Sequence, residues 1–328
     1  MRIGLVLPQI TESNLRLAAQ LGVTDIVGNL PGKPGSHPLR GPGTPVLDFT
    51  ELLRVKEQIE AAGLRWSVIE SLQIPDRVKL GLPGRDEDIE HFCQSVRNIG
   101  AVGIPILCYH WMTYYGHFRT SHSYRVRGGA LSTAYRHALV QDAPFTELGE
   151  VSEETMWSSL AYFLEAVVPV AEEAGVKLAM HPDDPPLTPL RGLARIMISP
   201  DNFQRMLDLV PSPNNGLTFC QGCFSEMGCD IPSTLERFCD QDKVFFAHLR
   251  NLRGTLYDFH ETFHDEGDVD MYRVMRAFYE VDFAYPIRPD HVPTLEGDDH
   301  SIPSYSLLGR LYAVGFMKGL MMAIERGG

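Results

Sequence analysis

Eight short β-rich runs, each followed by a longer amphipathic stretch, predict a (β/α)8 TIM barrel for this 328-residue chain. Two further observations support that class. No linker divides the sequence, and no GxGxxG turn of a doubly wound open sheet follows any run. At roughly 150 residues per domain the length would admit two domains, but one α/β barrel fits it equally well. Residues 1–328 are therefore read as a single domain, with the open sheet as the competing architecture.

The first strand is Ile3–Leu7, followed by a helix over Glu12–Leu21 that stops at Gly22. Asp25–Asn29 and Arg65–Glu70 are the second and third strands, each an apolar β-branched run. Between them Phe49–Ala62 carries helical spacing and ends at Gly63. Ile104–Tyr109, Lys177–His181, Gly216–Cys220, Val244–His248 and Pro286–Asp290 complete the strands. The remaining helices are Asp86–Ile99, Glu153–Ala174, Pro200–Leu209, Ile231–Phe238, Asp270–Glu280 and Tyr305–Glu325. Four long stretches without clear periodicity remain: Leu30–Leu47, His110–Gly149, Arg250–Val269 and His291–Ser304. Each follows a strand and precedes a helix, so all four fall on the barrel face where active sites are built. Loops of this length are expected as a lid or substrate wall.

Composition removes several function classes. There are 29 Lys+Arg against 42 Asp+Glu, a formal charge of −13, and no basic cluster to track a phosphate backbone. Nucleic acid is not an expected partner. No uninterrupted apolar run approaches the roughly 18 residues of a membrane span, and the N-terminus reads as a strand rather than an export signal. A cytoplasmic protein is expected, with its six cysteines reduced. Cys220-Gln-Gly-Cys223 has the look of half a zinc knuckle, but no second CxxC follows, and Cys229 and Cys239 are wrongly spaced.

The last four strands end on Leu178-Ala-Met-His181, Leu217-Thr-Phe-Cys220, Phe246-Ala-His248 and Ile287-Arg-Pro-Asp290. Each closes an apolar run with a side chain able to bind a transition metal, and in a parallel barrel these ends are neighbours. Two imidazoles, a thiolate and a carboxylate suit Mn2+, Fe2+, Co2+, Ni2+ or Zn2+ better than Ca2+ or Mg2+. His181 opens His-Pro-Asp-Asp-Pro-Pro, where Asp183 and Asp184 either shape the turn or orient His181. His260-Glu261-Thr-Phe-His264 matches the zincin pattern HExxH literally, but it lies after a strand and lacks a long apolar helix.

Several blocks then resemble one family. HPDDPP (181–186), FCQG (219–222), AHLRN (247–251), FHETFHDEGDVDMY (259–272) and IRPDH (287–291) are similar to successive motifs of the mannonate dehydratases. VIES (68–71), VKLG (78–81) and YSLLGR (305–310) follow the same pattern. The resemblance implies a xylose-isomerase-like barrel with a divalent metal, usually manganese. It implies dehydration of D-mannonate to 2-keto-3-deoxy-D-gluconate in hexuronate catabolism. Carried over by position, the metal ligands are His181, Cys220, His248 and Asp290, and the acid/base pair is His291 and Tyr305. The chain departs from the family pattern at His110, His117, Phe118, Cys223 and Val292.

Removing water from a 2,3-dihydroxy acid requires loss of a weakly acidic α-proton, so a Lewis-acid metal and a base near neutrality are expected. Arg250, Arg288 and His110 are the candidates for binding the sugar acid. A homodimer is the expected assembly. Two other readings stay open: a metal-dependent isomerase, epimerase or lyase on the same scaffold, and a non-catalytic sugar- or metal-binding homologue.

Overall fold

The computed structural model describes residues 1–28, 46–70, 72–300 and 303–327. Eight parallel strands close a barrel: β1 (Arg2–Val6), β2 (Asp25–Val27), β3 (Arg65–Glu70), β4 (Ile106–His110), β7 (Lys177–His181), β8 (Asn215–Cys220), β9 (Val244–Leu249) and β12 (Pro286–Pro289). Their order around the barrel follows the chain, with β12 returning beside β1. The helices are α1 (Glu12–Gln20), α2 (Phe49–Ala61), α3 (Asp76–Lys79), α4 (Arg85–Val102), α5 (Glu153–Ala174), α6 (Pro200–Leu209), α7 (Gln221–Glu226), α8 (Ile231–Cys239), α9 (Met271–Glu280) and α10 (Leu307–Glu325). Thr11, Asp48, Ser152, Ser199, Asp230 and Asp270 cap α1, α2, α5, α6, α8 and α9 through their side chains. The barrel expectation holds.

Strand alternation decides what reaches the site. Ile26, Ile69, Leu107 and Leu178 pack with the helices, while Val27, Val68, Ile106, Cys108 and Ala179 form a separate buried cluster. The second set faces the barrel interior. Stepping by two residues toward the mouth therefore puts Glu70, His110 and His181 on the interior face. Register sets His110 beside His181, and His248 beside both Cys220 and Arg288.

Two stretches expected to be irregular are instead structured. Ser121–Arg125 (β5) and Leu131–Arg136 (β6) pair antiparallel, as do Asn251–Thr255 (β10) and Asp258–Thr262 (β11). Together they make a four-stranded sheet in the order β10-β11-β6-β5. β5 and β6 turn through Gly128 and Gly129, both at positive φ, where a Cβ would be strained. The sequence hid these strands because Ser, His, Arg and Gly replace the β-branched residues of a typical strand. The expected loop at 30–47 lies outside the described residues except for its last two positions, and 301–302 of the 291–304 loop do too.

α10 also amends an expectation. It is long and apolar enough, by length and composition, to cross a membrane. It nevertheless buries Ala313, Val314 and Met317, and Arg310 reaches back 2.7 Å to the Val6 carbonyl on β1. These contacts are those of a barrel's last helix.

Between α4 and α5, the Phe163 ring is fully buried, with centroids 5.1 Å from Phe92 and 5.3 Å from Trp111. Phe163→Ala is expected to cost about 3–5 kcal/mol. Urea unfolding measures this, and a loss below about 1 kcal/mol would contradict the packing.

Candidate metal centre and acid/base pair

The four strand-end donors converge at the mouth. Ligand atoms of His181, Cys220 and His248 all lie within 4.8 Å of one another, and Cys220 Sγ is 3.7 Å from Asp290 Oδ2. His248 Nδ1 lies 3.9 Å from Asp290 Oδ1. Both ring nitrogens of His248 are buried without a well-formed hydrogen bond, an arrangement that suits a metal ligand. Nε2 of that ring is 3.2 Å from Glu70 Oε1, and Glu70 in turn pairs with Arg288. A carboxylate behind an imidazole commonly orients it toward a metal. His181 is held differently: its Nδ1 lies 2.7 Å from the Pro182 carbonyl, which leaves Nε2 for a ligand. The donor set fits a borderline divalent ion.

Electrostatics follows from this crowding. Burial opposes the charged forms throughout, but partners outweigh it at several groups. The neighbouring Cys223, His181 and His248 side chains hold the Cys220 thiol well below its usual range. The same contact with Cys220 lifts His181 to about 9. Arg288 and His248 draw Glu70 down to about 2.

Asp290 is followed directly by His291, and the two diverge. His291 Nδ1 lies 2.6 Å from Glu261 Oε1, and its Nε2 lies 3.1 Å from the Tyr305 hydroxyl. Burial disfavours the imidazolium, but Asp290 and Glu261 raise the His291 pKa overall. Burial raises Tyr305. The two expected acid/base residues thus share a hydrogen bond.

Arg250 is enclosed by carboxylates: Glu261 at 2.7 Å, Glu226 at 2.8 Å, Asp184 at 3.3 Å and Asp290 at 3.5 Å. Arg288 bonds Asp290 at 2.9 Å as well as Glu70. Most donors of both arginines are engaged within the protein, but each Nε lacks a well-formed hydrogen bond. Gly222 is required here, because a Cβ would collide with the Arg250 side chain.

Other expectations resolve individually. Asp183 accepts from the Met197 amide at 2.8 Å and Asp184 forms a two-point pair with Arg119, so neither orients the His181 ring. HExxH lies on β11, not on a helix: Glu261 is buried and His260 stacks on Tyr124 at 4.4 Å. His264 Nε2 is 2.8 Å from the Leu249 carbonyl, so the zincin arrangement is absent. Among the described residues no candidate metal group contains two cysteines.

His110 sits in register with His181, its Nδ1 without a hydrogen bond, and burial holds its pKa well below the usual value. The His117 ring is 5.4 Å from His291, and burial with the His291 charge takes it down to about 3. Phe118 packs on Tyr115 and Tyr135. Val292 points to Gly309, where a Cβ would meet it at 2.8 Å. Glu70, Arg119 and Glu226 were not singled out from sequence; Glu70 ends a strand inside VIES, which was the available signal.

The profile of the D-mannonate dehydratase (UxuA) family matches residues 11–150 and 142–328. The chain belongs to the mannonate dehydratase family. The mannonate dehydratase of Thermotoga maritima is 35% identical over 316 residues, covering 86% of this chain and 87% of its own. That of Streptococcus equi subsp. zooepidemicus is 35% identical over 302 residues, covering 84% and 83%. The crystal structure of mannonate dehydratase from Streptococcus suis serotype 2 superposes with a TM-score of 0.89 at 31% identity, covering 100% of this chain and 94% of that one. A xylose isomerase domain protein from Planctomyces limnophilus shares the fold, with a TM-score of 0.62 at 14% identity over 99% of this chain and 98% of its own. Mannonate dehydratases are hydro-lyases, and the chain is an enzyme of that class.

Ligation by His181 requires the neutral ring, so metal binding there would displace its proton. Since that proton is held to about 9, apparent metal affinity should fall progressively as pH drops below that value. Calorimetry in buffers of different ionisation enthalpy should register proton release. Cys220→Ser combined with His248→Ala should remove the bound metal, and full retention would refute the ligand set.

Proposed function

We propose that this chain dehydrates D-mannonate to 2-keto-3-deoxy-D-gluconate, using a divalent ion, manganese first, held by His181, Cys220, His248 and Asp290. The observation that carries the reading is the juxtaposition of these donors with a His291–Tyr305 pair 3.1 Å apart. The bound ion would supply Lewis acidity that makes the proton α to the carboxylate removable.

The protein's own groups would do the proton work. With Nδ1–H donating to Glu261, His291 presents Nε2 as a base or, once protonated, as an acid. One member of the His291–Tyr305 pair would take the C2 proton while the other protonates the departing C3 hydroxyl. The resulting enol then becomes the 2-keto-3-deoxy acid. Their shared hydrogen bond lets the proton pass between them and resets the pair. His110, Arg250 and Arg288 are the proposed substrate contacts. His110, neutral and without an Nδ1 partner, suits a sugar hydroxyl.

We further propose that residues 1–328 act as one domain, with the antiparallel sheet serving as the wall of the mouth. A homodimer is the assembly we propose, supported by the exposed Leu308, Tyr312 and Met322 of α10. Cytoplasmic placement suits a sugar-acid enzyme with no disulfide among its described residues.

His291→Asn should leave metal content intact and lower turnover by about 10²-fold or more, the usual share of a positioned acid or base. Formation of 2-keto-3-deoxy acid from a panel of C5 and C6 aldonates is the assay. With metal fully loaded, no product from any aldonate would reject the reading, and turnover of a ketose would favour an isomerase or epimerase.

A further inference from the structure

The proposed reaction uses one sulfur, and the fold sets a second beside it. Cys220 ends β8 and caps α7, and Cys223 lies three residues on, on the same side of that helix. Both are fully buried and flank one ion pair: Arg250 Nη2 is 3.4 Å from Cys223 Sγ, its Nε is 3.5 Å from Asp290 Oδ2, and that oxygen is 3.7 Å from Cys220 Sγ. Cys223 is not part of a second metal site. The cluster it forms with Asp184 and Glu226 already surrounds the Arg250 guanidinium, which supplies the cation there. What remains is a buried dithiol of CxxC spacing, and peroxide, a molecule little larger than water, is an oxidant small enough to be admitted to it.

We propose that Cys220 and Cys223 are a redox-labile pair, oxidised by a small hydroperoxide to a disulfide that takes the thiolate from the metal centre and releases the ion. The release step rests on Cys220 being a ligand; formation of the bridge does not. In the first step the Cys220 sulfur attacks a peroxide oxygen and the O–O bond breaks. Cys220 becomes a sulfenic acid, and the other oxygen leaves as water or an alcohol with the thiol proton. Cys223 then attacks the Cys220 sulfur, the S–S bond forms, and hydroxide leaves with the Cys223 proton as water. Two thiols lose two electrons, which the peroxide gains. Side chains three apart on a helix hold their Cβ atoms about 5–6 Å apart. A disulfide needs about 3.5–4.5 Å, a shift of roughly 1 Å for a short helix such as α7 to absorb.

Manganese-loaded and chelator-stripped protein would each be treated with hydrogen peroxide, alkylated, digested and read by mass spectrometry, with metal content measured in parallel. The expected product is a Cys220–Cys223 bridge that leaves four of the six thiols alkylatable, reversed by dithiothreitol. Bound manganese should fall at least about tenfold, the scale of losing a ligand, and return on reduction and reloading. Cys223→Ser, with Cys223→Ala as a second variant checked for folding, should form no bridge and release less metal. Oxidation confined to the other four cysteines, or equal metal release from Cys223→Ser, overturns the proposal. A bridge that forms with manganese fully retained overturns Cys220 as a ligand and the release step with it, while the redox pair stands.

Discussion

Arg250 is the charge around which the mouth is organised. A guanidinium with no exposed surface would be prohibitively costly unpaired, and here it is offset by Asp184, Glu226, Glu261 and Asp290. These acids come from the turn after β7, from α7, from β11 and from the end of β12. One cation therefore fixes four separate pieces of chain relative to one another. Arg119 repeats the device, joining Asp184 to Glu261. Where acids outnumber bases, one acid is left over: burial outweighs Arg250 at Glu226, whose pKa rises to about 8.

The same residue joins barrel to sheet. β9 ends at Leu249 and β10 begins at Asn251, so Arg250 is the single residue between a barrel strand and the antiparallel sheet. β11 then returns with Glu261, which accepts from Arg119, Arg250, Thr133 and His291 together. The His291 ring, the proposed acid/base group, is thus oriented by a strand outside the barrel, while its neighbour Asp290 faces Cys220 and His248. Consecutive residues at one strand end serve two different assemblies because strand alternation ceases where β12 stops.

The barrel was legible because a closed parallel sheet imposes a repeating apolar pattern, and the chain obeys it in all eight strands. The clustering of the candidate metal donors was legible for a related reason: a strand leaving an apolar interior ends where water or a ligand must take over, and His181, Cys220 and Asp290 stand at that boundary. What could not be read was any feature created by pairing between distant segments. β5, β6, β10 and β11 have weak individual strand character and gain it from one another. Glu70 and Arg119 look like ordinary polar residues until the fold brings His248, Asp184 and Glu261 to them. The arginines were found, but their engagement by internal carboxylates is a three-dimensional property with no trace in spacing.

Charge balance argues for the order in which the site fills. Glu70, Asp184, Glu261 and Asp290, together with the Cys220 thiolate, are five negative groups against the guanidiniums of Arg119, Arg250 and Arg288. Protonated His181 offsets one more of these charges. An anionic substrate entering then would gain little attraction while losing its hydration. A divalent ion that displaces one proton from His181 leaves a net gain of one positive charge in a site shielded from solvent, where such a charge acts strongly. The excess of acids at the mouth, which looks unsuited to an acid substrate, is thus what retains the metal, and the metal is what makes room for the substrate's carboxylate.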